Sequence, residues 1–243
     1  MGERRGDSTS SPDTLADARK KTFNDELQQS ATIDYRYELI RKTIHLFSLS
    51  IPIIYSFISK ELALQLLVPM TLWFLVVDIA RFVHKPTADI FYRWFGWLLR
   101  KHERDALQKR LNGATYVLIA STLCVFVFPK LLVITALSIL IISDTTSALV
   151  GRRFGKRPFF EKSVEGTIAF FVTAVLVVFV TPKLDGLPME YIIGILGAAV
   201  GAAVESAPLR LDDNLSVPIS ICAVMWGLYA LLLPSLDLAS FPV

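Results

Sequence analysis

Seven long apolar runs, separated by short polar segments, constrain this chain more than any other feature. They span about Tyr37–Ile58, Leu62–Val83, Ala114–Phe128, Leu131–Val150, Val164–Thr181, Tyr191–Ala207 and Leu215–Leu233. A helix needs about 20 apolar residues to cross roughly 30 Å of hydrocarbon. The length alone would allow one or two soluble domains; the runs do not. The third and fifth runs are short for spanning, which tilt accommodates. Pro52, Pro69 and Pro218 lie inside runs, where neighbouring helices can satisfy the freed carbonyls. The expected fold is an all-α integral membrane bundle of about seven transmembrane helices. Composition agrees, with 53% hydrophobic and 19% charged residues, against about 25% charged in soluble domains.

The basic residues orient the bundle. With the N-terminus in the cytoplasm, the segments up to Lys42, from Arg81 to Arg110, from Gly151 to Ser163 and around Arg210 share one side. That side carries 22 of the 25 lysines and arginines, leaving Lys60, Lys130 and Lys183 for the other. Such a bias is the positive-inside pattern, and it fits an odd number of spans with the C-terminus outside. Residues 1–34 are polar and lack the apolar core of a secretory signal. They read as a disordered cytoplasmic tail that accommodates a short surface helix over Leu15–Gln29, ahead of a transmembrane catalytic domain over 35–243. The stretch Ala88–Leu99 sets Ile90, Phe91, Trp94, Phe95, Trp97 and Leu98 around Arg93. It reads as an interfacial amphipathic helix, or as a Trp-rich loop anchor at the same place. Cys124 and Cys222 sit in apolar runs and read as small buried hydrophobes. The three histidines lack zinc-ligand spacing. A net charge of +3 is explained by membrane orientation, and no nucleic-acid recognition fold is visible.

Ionisable groups in or beside membrane helices are costly, so each calls for a reason. Asp78 ends the second run, Asp144 lies in the last third of the fourth, Glu165 opens the fifth, Glu205 ends the sixth and Asp212-Asp213-Asn214 opens the seventh. Lys42 and His45 open the first, and Asn112-Gly113 the third. In the seven-span topology all of them face the cytoplasm. Some have plain explanations. Asp78 and Arg81 can pair along one helix face, Arg41 and Lys42 can serve topology alone, and His45 can be an interfacial polar residue. Asp144 and Glu205 follow apolar stretches with no basic residue within one turn of sequence.

Asp144, Ser147, Ala148 and Gly151 recur at i, i+3, i+4 and i+7, which places an acid, a hydroxyl and two small residues on one helix face. The segment after them carries Arg152, Arg153, Gly155, Lys156, Arg157 and Lys162 before the fifth run. A glycine-containing basic loop that enters a helix N-terminus suits phosphate; it also suits anionic lipid. Acids and bases together favour phosphoryl transfer. That chemistry needs cations on nucleotide oxygens, carboxylates for magnesium and a group that orients the attacking hydroxyl. Gly197 and Gly201 form a small-xxx-small pattern that lets another helix approach and seat Glu205.

The motifs Arg41-Lys42-Thr43-Ile44-His45, Asn112-Gly113-Ala114-Thr115, the run from Asp144 to Gly155, Lys162-Ser163-Val164-Glu165-Gly166, Glu205, and Asp213-Asn214 through Pro218 resemble, in this order, the CTP-dependent lipid-alcohol kinases. These are dolichol kinase, phytol kinase, the yeast-type diacylglycerol kinase and small bacterial relatives. The resemblance runs from about Tyr35 to Pro218. It implies transfer of the γ-phosphate of CTP to the hydroxyl of a membrane lipid alcohol (phytol, polyprenol, dolichol or diacylglycerol), with Mg2+ or another divalent cation. It implies nucleotide binding by Gly151, Arg152, Arg153, Gly155, Lys156, Ser163 and Gly166. Asp144, Glu205, Lys162 and Glu165 would be catalytic, with Asp144, Glu205 and Asp213 toward the metal, and Lys42, His45, Asn112 and Asn214 completing the site. The size fits phytol kinase, diacylglycerol kinase and bacterial relatives better than dolichol kinase, and the 84–110 segment departs from the family. A multi-pass protein of a bacterial inner membrane, with a cytoplasmic site, is the expected setting.

Two rivals stand beside this reading. Phosphatidate cytidylyltransferase also uses CTP and a lipid, but its C-terminal Lys-Asp, polyglycine and paired-aspartate signature is missing. A small transporter with ion-binding acids is the other; transporters place such acids near the midplane and often carry internal repeats, and neither feature is visible here.

Overall fold

Apolar periodicity and helix-start residues divide the chain into helices. A computed structural model describes residues 40–95, 111–160, 162–208 and 211–241. The expectations for the tail over 1–34, for the end of the interfacial stretch over 96–99 and for Arg210 lie outside the described residues. Lys42–Val243 forms one compact unit. It begins with a helical stretch over 42–47. It continues with α1 (Ser50–Phe57), α2 (Lys60–Val83), α3 (Lys85–Phe95), α4 (Gly113–Val127) and α5 (Lys130–Phe154). Then come a hairpin of β1 (Pro158–Phe159) and β2 (Lys162–Ser163), followed by α6 (Val164–Val180), α7 (Pro188–Ser206) and α8 (Asp213–Leu232).

Four helices start where the sequence offers an N-cap oxygen. Ser59 Oγ accepts from Leu62 N at 3.2 Å, and Asn112 Oδ1 from Ala114 N at 3.0 Å. Ser163 Oγ accepts from Gly166 N at 3.1 Å, and Asp212 Oδ1 from Asn214 N at 3.0 Å. Each cap meets an N–H that the helix cannot satisfy itself.

The first apolar run is not one helix. It breaks at Ser48–Leu49, because Pro52 has no N–H to give the Ser48 carbonyl and its ring crowds that carbonyl. Ser48 O accepts from Ile51 N instead, at 2.9 Å. Among the described residues, α2, α5, α7 and α8 are the helices long and apolar enough to cross a membrane. Helices α4 and α6 are apolar but have 15 and 17 residues, and α1 has eight. At 1.5 Å per residue α4 reaches only about 22 Å. Against the expected seven spans, the described residues hold four helices of full spanning length and shorter apolar ones.

Helix α5 is the axis of the unit. It is buried almost without interruption from Leu131 to Ile141, and it packs against α6, α8 and α1. Helix α2 does the reverse. Leu62, Leu66, Leu72, Trp73, Val76 and Val83 are 43–82% exposed, a contiguous apolar face that water disfavours and hydrocarbon accepts. The short helix α3 carries Ile90 and Trp94, also exposed.

Glycines set how closely α7 approaches its neighbours. A Cβ at Gly194 would lie 2.5 Å from Val178 Cγ1 of α6; at Gly197 it would lie 2.8 Å from Met225 Cγ, and at Gly201 2.7 Å from Ile221 Cδ1, both of α8. Val178 is fully buried and β-branched, so it has no low-cost rotamer to escape into. Gly194→Ala is expected to destabilise the protein by about 1–3 kcal/mol through overpacking, read as thermal unfolding in detergent. Val178→Ala should recover part of the loss. Gly227→Ala, with nothing within 4 Å of the added atom, should be neutral or mildly stabilising; equal losses at 194 and 227 would contradict the close approach.

Candidate active site

Asp144 and Ser147 lie one turn apart on α5, so they share a face. Asp144 is 8% exposed. Its carboxylate pairs with Lys42 Nζ at 2.5 Å, and the same ammonium donates to the Asp144 carbonyl at 3.3 Å. His45 Nε2 stands 3.5 Å from Asp144 Oδ2. Ser147 Oγ donates to Glu205 Oε1, at the end of α7, at 3.1 Å. Glu205 is 1% exposed, and Ser206 Oγ donates to its other oxygen at 3.4 Å. Lys162, on β2, places Nζ 3.0 Å from Glu205 Oε1 and 3.1 Å from Asp213 Oδ2 at the start of α8. Three carboxylates from three helices thus meet two ammonium groups at one end of the bundle. Burial alone would pull the Lys162 ammonium down. Asp213, Glu205 and Asp144 together outweigh it and hold the group above the ordinary lysine range.

A second layer positions the first. Asp78 Oδ2 accepts from Asn112 N at 2.8 Å and from Thr115 Oγ1 at 2.7 Å, and Asp78 Oδ1 pairs with Arg81 Nε at 3.0 Å. The Arg81 guanidinium lies 4.9 Å and 4.8 Å from the ring centroids of Phe82 and Phe91, a cation–π arrangement. Asp78 and Arg81 therefore pair as their spacing allows, and Asp78 also fastens the start of α4. That start faces α8: a Cβ at Gly113 would stand 3.8 Å from Asn214 Nδ2. Asn214 Nδ2 donates to Asp212 Oδ1 at 2.7 Å.

The glycines of the basic segment close on Ser163. A Cβ at Gly155 would lie 2.7 Å from Ser163 Oγ, and one at Gly151 or Gly166 3.1 Å. Their smallness lets the end of α5 touch the start of α6. The first turn of α6 is served from within the chain. Gly166 N goes to Ser163 Oγ, and Val164 N donates to Arg157 O at 3.0 Å. Glu165 Oε2 accepts from Lys156 N at 3.1 Å and Arg157 N at 3.4 Å, so Glu165 shapes the loop and not the carboxylate cluster. Arg152 and Arg153, in the last turn of α5, and Lys156 and Arg157, on the loop beyond it, stand exposed.

Two features escape the sequence. Thr167 Oγ1 and Ser206 Oγ meet at 2.7 Å behind Glu205, a contact across 39 residues with no local signal. Glu190 is a buried acid beyond those that the sequence places on the cytoplasmic side. It is fully buried in the first turn of α7, the end opposite Glu205. It accepts from Leu184 N at 2.8 Å, Asp185 N at 3.1 Å, Leu187 N at 2.9 Å and Tyr229 OH at 3.1 Å. Glu190 is a loop clamp; an acid two residues after Pro188 at a helix start was its one available cue. Beside it, burial pulls the Lys183 ammonium below its ordinary range, with Glu190 opposing.

Among the described residues no three His, Cys, Asp or Glu side chains form a ready-made metal cage. Magnesium commonly takes one or two carboxylates plus substrate phosphates. Glu205 and Asp213 already share one ammonium, so their hard oxygen donors fit that mode.

Replacing Lys162 by Met leaves Glu205 buried with only hydroxyl partners. The expected cost is roughly 3 kcal/mol, in the range for a broken buried pair, read as a lower Tm in detergent. Lys162→Met combined with Glu205→Gln should regain much of it. Because the folded-state pKa is raised, the lysine's contribution is complete below the ordinary lysine pKa and is lost only as pH rises past it. The deficit of Lys162→Met should then stay constant between about pH 6 and 9. A wild-type Tm for Lys162→Met would refute the bridge.

Comparison with known proteins sets this geometry among relatives. No family model matches the chain, and no solved structure matches it. The chain is 26% identical over 164 residues to CTP-dependent diacylglycerol kinase 1 of Schizosaccharomyces pombe, covering 61% of this chain and 73% of that protein. It is 25% identical over 203 residues to the uncharacterized protein MJ1137 of Methanocaldococcus jannaschii, covering 77% and 97%. With the uncharacterized protein RP860 of Rickettsia prowazekii it shares 32% identity over 193 residues, covering 79% of this chain and 94% of that one. An all-α chain matched over nearly the whole length of that protein belongs to the same family as RP860.

Proposed function

We propose that this protein is an integral membrane lipid kinase that transfers the γ-phosphate of CTP to the hydroxyl of a membrane lipid alcohol. The observation that carries the reading is the convergence of Asp144, Glu205 and Asp213 with Lys42 and Lys162, beside an exposed basic loop. The distant likeness to a CTP-dependent diacylglycerol kinase supports the donor and the acceptor class. Phytol, polyprenol, dolichol and diacylglycerol all present a hydroxyl at the membrane surface and suit this site alike. The bundle would lie with its charged end in the cytoplasm, and the stretch from Lys42 through α1 would join α2 and α4–α8 as the seventh crossing.

The division of labour follows from charge and position. Arg152, Arg153 and Lys156 offer cations to the nucleotide phosphates. Lys162 stands between that loop and the carboxylates and can pass from Glu205 and Asp213 to a phosphate oxygen without leaving the site. Glu205 and Asp213 would hold a divalent cation together with the phosphates, which would neutralise charge on them. Asp144, held by Lys42 and His45, would accept the hydrogen of the lipid hydroxyl. The hydroxyl oxygen attacks the γ-phosphorus, the bond to the β-phosphate oxygen breaks, CDP leaves, and the hydroxyl proton passes to the carboxylate network. Gly151, Gly155, Ser163 and Gly166 keep the loop close to the cluster, Glu165 holds its shape, and Asn112 and Asn214 line the α4–α8 side.

The assay is transfer of label from γ-labelled CTP or ATP, with magnesium, to a panel of phytol, farnesol, undecaprenol, dolichol and diacylglycerol. Label should move from CTP into one lipid. Asp144→Asn and Glu205→Gln should each lower the rate by about a hundredfold or more, the scale of a lost acid–base or electrostatic group, with normal expression. Charging of phosphatidate by α-labelled CTP without γ-transfer would replace the kinase by a cytidylyltransferase.

A further inference from the structure

We infer that the tip of the β1–β2 hairpin, Phe159 and Phe160, is a membrane-surface anchor that beds among phospholipid headgroups. The inference rests on the membrane placement proposed above and not on the identity of the reaction. The apolar part of α5, from Leu131 to Val150, is about 30 Å long at 1.5 Å per residue, one hydrocarbon thickness. Its last turn and the hairpin beyond it therefore emerge at headgroup level.

The chemistry of that emerging segment is unlike a solvated loop. Phe154, Phe159 and Phe160 are 57%, 40% and 68% exposed. The rings of Phe159 and Phe160 meet edge to face at 4.8 Å, so the tip is a paired aromatic wedge. Phe160 has a φ of +51°, the left-handed region where a hairpin turn ordinarily takes Gly, Asn or Asp. A large ring at that position adds strain and gains nothing from water. It gains when the ring leaves water for the headgroup–acyl boundary. The exposed Arg152, Arg153, Lys156 and Arg157 flank the wedge with positive charge that complements anionic lipid. A soluble polyanion would use those cations but has no use for three exposed phenyl rings, save a nucleobase stacked on one of them. Phe159 pairs with Lys162 across the hairpin, and Lys162 bridges Glu205 and Asp213. The rung that anchors the tip thus fixes where the carboxylate cluster lies along the bilayer normal.

The native cysteines, Cys124 and Cys222, are buried, so Phe160→Cys and, in a second protein, Phe159→Cys can be labelled selectively with an environment-sensitive fluorophore. The labelled full chain is reconstituted in phosphatidylcholine vesicles with and without phosphatidylglycerol. Expected are strong quenching by headgroup-level nitroxide lipids, weaker quenching by deep acyl nitroxides and loss of most iodide quenching, enhanced by phosphatidylglycerol. Free quenching by iodide with none from nitroxide lipids would overturn the inference. So would strongest quenching by deep nitroxides, which would make the tip part of a span. Shielding from iodide that requires added CTP would overturn it in favour of base stacking.

Discussion

Three carboxylates at the rim of an apolar bundle cannot stand without counter-charge, and the rest of this structure is arranged around supplying it. Lys42 meets Asp144, and Lys162 meets Glu205 and Asp213. These contacts tie together the segment before α1, the hairpin and helices α5, α7 and α8. Desolvation makes such pairs poor sources of net stability, but removing one partner is costly. Their value lies in fixing which segments meet. A hydrophobic substitute could hold the helices equally well but would leave no carboxylates at that end of the bundle.

Close helix packing makes the pairing reachable. Gly194, Gly197 and Gly201 draw α7 onto α6 and α8, which carries Glu205 to Ser147 and Lys162. Gly151, Gly155 and Gly166 draw the end of α5 onto Ser163, which brings Lys162 in from the hairpin. At the far end of α7, Glu190 collects three backbone N–H groups and Tyr229. One helix is thus pinned by a carboxylate at each end, with a glycine face between them. Asp78 performs the same service for α4, whose first turn stands against Asn214.

Much of this is written in the sequence. Long apolar runs announce α2, α5, α7 and α8, and Asn112, Ser163 and Asp212 mark helix starts through their side-chain oxygens. The i, i+3 spacing puts Asp144 and Ser147 on one face before any partner is known. Other parts are not legible, for identifiable reasons. Pro52 is compatible with a kinked helix or a broken one, and only the neighbouring hydrogen bonds decide. Two-residue strands have no period, so the β1–β2 hairpin hides inside a basic loop. Glycines near arginines read equally as a phosphate cradle or as helix contact points, and the contact with Ser163 is long-range information. Glu190 sits among residues of a polar turn, and its burial depends on Tyr229, 39 residues away.

The account stands on the claim that the lysine-bridged carboxylates are a nucleotide site and not merely a structural network. Titration of magnesium-CTP into the detergent-purified protein, followed by calorimetry, tests it most directly. Saturable binding is predicted for the wild type. A loss of about tenfold or more in affinity, at least 1.4 kcal/mol, is predicted for Glu205→Gln under conditions where its fold is intact. Unchanged affinity in Glu205→Gln, or no binding by the folded wild type, would contradict the account.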